Sequence, residues 1–438
     1  MIIALLIWIN IFGKTANVIV WAFLIVWSLS GTYRAVQALI LGYLIFSMNR
    51  ELFFLLPQIW SLRWLLLFSS TFRILFDWIR YKRPITWWLP WFAVFILILY
   101  LLSFMKSYQL SVSFLKITAF AIGFFAVVMG VNLSSDYSWK NWLLTFWVVV
   151  FISGLPLIVS SIGYLPGRGF RGILNHPQEY GVFFAIPSAV FITNIGKNKT
   201  LKAKFFYIIM LISILISIIV SRSRTGIFAT ILAVSTIYII ALIRKLKIGK
   251  EIYVKPLSII AVLAVLLIFT FFFDTIYDSA FSLITKGYTD SIYRGEMDIS
   301  QAIISTRTQF IIPSWQNFLK NPLGGIGFGL ASDPERFHVG KFYGIPITAR
   351  IEKGFIFSAL LEETGIVGTL FFLLFIFFFI KVILRYGNIQ EQALLASSIF
   401  VNFGEMGFFS PGSRGPYIWL CIAVAVLMAK KREYQCGL

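Results

Sequence analysis

Between Pro256 and Phe273 the chain carries no charged side chain, and comparable stretches recur along most of its length. Coiled as a helix, a run of this size is close to the thickness of a bilayer core. In lipid no water is available to backbone N–H and C=O groups, so a spanning segment is a helix or belongs to a closed barrel. A barrel alternates apolar and polar residues, and these runs do not. The sequence therefore predicts an all-α fold, a polytopic transmembrane helix bundle. Hydrophobic residues make up 59% of the chain and charged residues 13%, a balance no water-soluble domain of this length needs. Trp87, Trp88, Trp139 and Trp142 fall near run ends, where amphipathic rings favour the membrane interface.

The run-length rule gives about twelve to fourteen spans. They are 2–12 and 16–30 (short, or one broken element), 34–49, 57–79, 87–105, 110–132, 141–161, 181–195, 204–220, 225–243, 256–273, 354–381, 391–409 and 416–429. Three regions follow: an N-terminal transmembrane bundle over 1–273, a large outer loop over 274–353, and C-terminal helices with a tail over 354–438. The first residues lack a basic leader pattern and are read as a retained segment.

The formal charge of +20 is spread over short loops beside apolar runs, so it reports topology and not a nucleic-acid partner. The clusters are Arg80, Lys82 and Arg83; Lys197 to Lys204; Arg244 to Lys250; Lys381 and Arg385; and Lys430 to Arg432. Each is separated from the next by an even number of spans, so all can be cytoplasmic together, with both termini. The outer segments are then 163–180, 221–224, 274–353 and 410–415. The loop 274–353 holds eight acidic and eight basic residues and is rich in aromatic side chains, so short helices folded over the membrane face are expected there. Cys421 and Cys436 supply neither a disulfide framework nor a metal site.

The outer side holds the residues with chemical potential. Arg224, in Ser221-Arg222-Ser223-Arg224-Thr225-Gly226, lies between two apolar spans. A guanidinium there either reaches lipid headgroups along its stem or presents its donor fork to phosphate oxygens. Arg171 and His176 precede it, and Arg307 stands eight residues before Trp315. Asn321-Pro322-Leu323-Gly324-Gly325-Ile326-Gly327 ends a helix; its glycines permit positive φ, close approach and free amides, or simply a turn. Glu352, Lys353 and Gly354 close the loop, and Glu362 and Glu363 lie about two turns into the next span. A carboxylate at that depth faces a polar interior, as a base, an arginine partner or a packing ion pair. His338 is a lone histidine in the loop, for which a structural role competes with catalysis.

From about Gly172 to Gly368 the chain resembles the O-antigen ligase and Wzy-type polymerase superfamily. The resemblance rests on Ser223 to Gly226 after an Asn175-His176-Pro177 segment, on Arg307 with Trp315 and the Asn321 to Gly327 turn, and on Leu361 to Gly368 opening the span after the loop. It implies a GT-C-like bundle at the bacterial inner membrane and a metal-independent, cofactor-free glycan transfer. The implied partners are an undecaprenyl-pyrophosphate-linked donor, a glycan or lipid A-core acceptor, and membrane lipids. Arg224 and Arg307 match the family arginines thought to hold pyrophosphate, with Arg171, His176, Lys353, Glu363 and His338 as further substrate contacts. Family ligases usually carry a histidine at the start of the span after the loop. Here Glu352-Lys353-Gly354-Phe355 stands in its place, so Glu352, with Arg307, is assigned to catalysis. The departure puts polymerisation of O-antigen or exopolysaccharide ahead of ligation to lipid A. A flippase or permease for a lipid-linked glycan is the competing class.

Overall fold

The computed structural model describes residues 2–54, 59–82, 86–197, 200–247, 311–331, 337–342, 345–351, 353–404, 406–410 and 414–436. The described helices are α1 (Ile2–Trp8), α2 (Lys14–Leu29), α3 (Thr32–Phe46), α4 (Ile59–Arg80), α5 (Leu89–Lys106), α6 (Leu110–Leu133) and α7 (Trp139–Gly154). They continue with α8 (Pro177–Lys197), α9 (Leu201–Val220), α10 (Arg224–Lys247), α11 (311–320), α12 (Ile356–Tyr386), α13 (Ile389–Gly404) and α14 (Gly415–Cys436). Seven of them, α5 to α10 and α12, are long and apolar enough to cross a membrane by length and composition. Three shorter apolar helices, over 2–12, 14–29 and 32–46, precede them. The chain is thus an all-α, multi-pass helix bundle. The expected span 256–273 lies outside the described residues.

Two small antiparallel pairs interrupt the helices. β1 (Tyr164–Leu165) pairs with β2 (Gly169–Phe170), and β3 (Phe337–Phe342) pairs with β4 (Ile345–Ile351). The expectation of short helices in the outer loop holds at 311–320, whereas 337–351 forms a hairpin. Its second strand carries Ile345, Ile347, Thr348 and Ile351, β-branched residues suited to a pleated surface.

Apolar helices gain no hydrophobic driving force from leaving lipid, so close packing must hold them together. Aromatic rings supply much of it where α5, α6, α12 and α14 meet. Phe92 stacks on Phe124 at 4.2 Å between centroids, and Trp419 meets Phe124 edge-on at 4.7 Å. Phe375 and Phe379 close the same cluster.

The helix connections collect at two ends. At one end Lys140 Nζ donates to Gln390 Oε1 (2.9 Å), and Gln390 donates to Asn194. There too Arg432 pairs with Glu391 at 2.5 Å, Lys431 bonds the Ser135 carbonyl and Lys430 lies over Trp87. The α4–α5, α6–α7 and α12–α13 connections, the α8 C-terminus and the α14 tail therefore share one end, which carries the basic loops. At the other end Asn49, fully buried, donates its side-chain amide to Ile162 O (2.9 Å) and Gly172 O (3.3 Å), while its own N–H bonds Ile173 O at 2.8 Å. This ties the α3–α4 connection to the segment before α8.

Asn49→Ala would take that donor from the buried Gly172 carbonyl and from the part-buried Ile162 carbonyl, at a cost of about 1–3 kcal/mol. We expect a lower midpoint of thermal unfolding in detergent; an unchanged midpoint would show that the Asn49 bonds add nothing net.

Candidate functional site

The site end is organised around a break in α12. Gly365 sits at φ 60°, ψ −164°, inside an otherwise helical segment. An unbroken helix would bond Ile366 N–H to Glu362 O and Val367 N–H to Glu363 O. Instead, Ile366 N donates to Pro322 O (2.8 Å) and Val367 N to Leu323 O (3.3 Å). The vacated carbonyls accept from the same loop, Glu362 O from Ile326 N (2.9 Å) and Glu363 O from Gly327 N (3.0 Å). The loop after α11 is thus inserted into the helix and replaces two lost bonds with four, leaving none of these backbone groups bare.

Only glycine fits at the crossing. A Cβ on Gly365 would lie 2.4 Å from the Leu323 carbonyl carbon, and one on Gly325 (φ 70°) would lie 2.4 Å from the Glu363 carbonyl carbon. The Asn321 to Gly327 and Leu361 to Gly368 motifs, separate in sequence, are therefore two halves of one contact. Val112 of α6 packs with Ile326 and Leu330 of the loop, and Val339 and Ala349 of the hairpin cover them.

A charge cluster lies against this crossing. Lys353, just before α12, pairs with Glu362 at 2.6 Å and Glu363 at 3.2 Å, and all three side chains are nearly inaccessible. Glu362 also accepts from Ser314 Oγ (2.8 Å) and Asn317 Nδ2 (2.7 Å) of α11, and Glu363 from Gly329 N (2.7 Å). Lys116 of α6 adds a further positive charge within reach of Glu363. Each carboxylate thus has several donors, which is what makes burying it tolerable. Tyr108, in the α5–α6 turn, donates to Ala331 O. Its partial burial, and then Glu362 and Glu363, hold its phenol above the ordinary value.

A second polar group surrounds the start of α8 and α10. Arg222 adopts a left-handed backbone (φ 52°), which turns the chain from α9 into α10. Arg224 is the first residue of α10 and is partly buried. Gly181 of α8 touches Gly226 of α10, and Gly169 lies on the Val220–Ser221 peptide, so the His176 segment packs beside Arg224. His176 Nδ1 accepts from Gln178 N (3.2 Å), and its Nε2 is 3.4 Å from Arg168. Arg171 is buried, pairs with Glu51 at 2.5 Å and bonds the Ile162 carbonyl.

Of the residues singled out from sequence, Lys353 and Glu363 come together at the crossing, and Arg171, His176 and Arg224 at the second group. His338 lies on β3 opposite Arg350. Arg307 and Glu352 lie outside the described residues. Sequence reasoning passed over Lys116. The signal was present, since Lys116 interrupts an otherwise uncharged span.

Two substitutions probe the crossing. Gly365→Ala combines a left-handed penalty of about 1–2 kcal/mol with the Leu323 overlap, so unfolding should be eased by more than about 2 kcal/mol. Lys353→Met would leave Glu362 and Glu363 buried without their ammonium, a loss of roughly 3–5 kcal/mol. Both should lower the unfolding midpoint in detergent and open 321–331 to proteolysis; wild-type melting in either variant would refute the corresponding contact.

Residues 208–373, from α9 into α12, match the O-antigen ligase family model, Wzy_C. No curated protein matches the chain. The matched stretch spans Arg224, Arg307, the glycine loop, Lys353, Glu362, Glu363 and the Gly365 break, whereas Lys116 lies before it. Over that stretch the chain is similar to the O-antigen ligase family.

Proposed function

We propose that the protein transfers a glycan from an undecaprenyl-pyrophosphate-linked donor at the outer face of the bacterial inner membrane, with polymerisation of O-antigen or exopolysaccharide ahead of ligation to a lipid A core. The observation that carries this reading is the crossing of the glycine loop with α12 inside the matched domain, next to partly buried polar groups at one end of the bundle. The basic end is then cytoplasmic and the site end outside.

In this reaction an acceptor hydroxyl attacks the anomeric carbon of the donor sugar. The bond from that carbon to the pyrophosphate oxygen breaks, undecaprenyl pyrophosphate leaves and the hydroxyl proton passes to a base. Negative charge grows on the leaving oxygen, so donors already in place around it lower the barrier. Arg224 and Arg307 are assigned to that charge, because a guanidinium fork matches phosphate oxygens. Glu352 is assigned as the base, and Lys353 beside it is anchored to Glu362 and Glu363. With arginines stabilising the leaving group, the reaction requires no metal.

One observation favours the competing transport reading. Transporters often bind substrate at broken helices, and α12 is broken. In such sites half-helix ends face the substrate, whereas at the Gly365 break the 362, 363, 366 and 367 backbone groups are all bonded to the loop.

The test is transfer from purified lipid-linked donor by the detergent-solubilised protein, with folding checked for each variant. Transfer should persist in chelator. Arg224→Lys and Arg307→Lys should each reduce it at least about tenfold, since lysine keeps charge but loses the fork. Glu352→Gln should reduce turnover with donor affinity nearly retained. Near-normal rates in both lysine variants would end the pyrophosphate-clamp reading, and the absence of any wild-type transfer, with vectorial movement across vesicles instead, would favour transport.

A further inference from the structure

The short helix α11 has its polarity reversed. Its protein-facing side carries Ser314 and Asn317, which are buried and donate to Glu362, beside Phe318. Its outward side is apolar. At about 100° per residue, Ile311, Ile312, Trp315 and Leu319 fall on one side of the helix, and Leu323 follows in the loop. Trp315 is 48% exposed, Leu319 60% and Leu323 68%. Gln316 and Lys320, also exposed, run along one edge of this stripe, between it and the buried side. Single exposed apolar side chains are ordinary, but several that adjoin along one element mark a contact surface.

Two observations say what covers it. The first is depth. Glu362, to which α11 is bonded, stands nineteen residues before Lys381 of the basic end. Along a helix that is about 28 Å, close to the thickness of a bilayer core. With the basic end of α12 at one headgroup layer, α11 therefore lies at the other.

The second is continuity with the spanning helices. Leu323 accepts through its carbonyl from Val367 N of α12 at 3.3 Å. The next residue, Gly324, lies on α5, where a Cβ would be 3.1 Å from Lys106 Cγ and 3.7 Å from Leu102 Cδ2. Beside these contacts α12 exposes Ile366 and Leu370, and α5 exposes Leu101 and Met105. Both are helices long and apolar enough to span, and such helices turn exposed apolar faces to lipid. The α11 stripe thus continues a lipid-facing surface.

We propose that α11 is a membrane-surface helix, whose stripe of Ile312, Trp315 and Leu319, extended by Leu323, docks into the lipid leaflet at the site end of the bundle. Trp315 suits that boundary, since its ring is apolar and its N–H polar. Lys320, at the edge of the stripe, reaches headgroup phosphates along its stem. The loop that follows α11 then begins at headgroup depth, the level at which a lipid-borne pyrophosphate is presented. The docking rests on the geometry alone; that this leaflet is the outer one, shared with a lipid-linked donor, rests on the proposed transfer.

The experiment is nitroxide accessibility in full-length protein, in nanodiscs of phosphatidylethanolamine and phosphatidylglycerol. Ile312→Cys, Leu319→Cys, Leu323→Cys and, as reference, Lys320→Cys are labelled one at a time in a Cys436→Ser background, in which the remaining native thiol, Cys421, is buried. Labels at 312, 319 and 323 should be relaxed by oxygen, which dissolves in lipid. They should lose relaxation by a water-soluble nickel chelate, as expected about 5–10 Å into the headgroup and acyl boundary, while the label at 320 keeps it. Nickel relaxation at the three positions equal to that at 320 would place the face in water and overturn the docking. Labels shielded from both reagents would show that protein covers the face, and overturn it equally. Trp315→Phe gives a reading that leaves the stripe apolar: the fluorescence it removes should be quenched by lipids brominated close to the headgroup, and unquenched fluorescence contradicts the docking. Because both readings report lipid contact, wild-type protein that transfers no glycan leaves the docking standing, and a water-exposed α11 leaves the transfer reading standing.

Discussion

Two backbone segments far apart in sequence complete each other's hydrogen bonds, and the site end depends on that exchange. A helix interrupted in lipid exposes peptide groups that cost several kcal/mol apiece. In α12 the interruption at Gly365 frees two donors and two acceptors, and the loop from Pro322 to Gly327 supplies a partner for each. The loop gains as much as the helix, since four of its own peptide groups, Pro322 O, Leu323 O, Ile326 N and Gly327 N, find partners there. Neither half is stable in this form without the other, which explains why glycines occupy both sides of the crossing.

The crossing also fixes the charges around it. Glu362 and Glu363 supply the carbonyls that receive the loop, so the same two residues hold the backbone exchange and the Lys353 ion pairs. Ser314 and Asn317 bring α11 to Glu362, and Gly329 brings the end of the loop to Glu363. The start of α12 and Lys353 are thereby tied to α11 and the loop that follows it. A glycan transferase requires such fixity, because donors that must reorganise during bond cleavage stabilise the leaving group less.

The sequence made the helix bundle legible because lipid leaves one solution for long uncharged runs, and the expected 110–132 and 204–220 spans differ from α6 and α9 by no more than a few residues. It also marked both glycine motifs and the depth of Glu363. The partnership between the motifs was not legible, since backbone bonding across more than thirty residues leaves no local pattern. Nothing beside Gly365 in the sequence marks it as a break in its helix; the inserted loop reveals it. The pairing of 337–342 with 345–351 departs from the short helices expected for this loop, although the alternating β-branched residues of β4 suit a strand. Arg171 illustrates a further limit: nothing near it in the sequence announces Glu51, the carboxylate it pairs with.

Amide hydrogen exchange in full-length protein in nanodiscs tests the crossing most directly, read at Ile326, Gly327, Ile366 and Val367. The account predicts that all four amides are protected and that they lose protection together under mild denaturation, as members of one bonded unit. Protected Ile366 and Val367 beside freely exchanging Ile326 and Gly327 would describe an unbroken helix with a loose loop, and would contradict it.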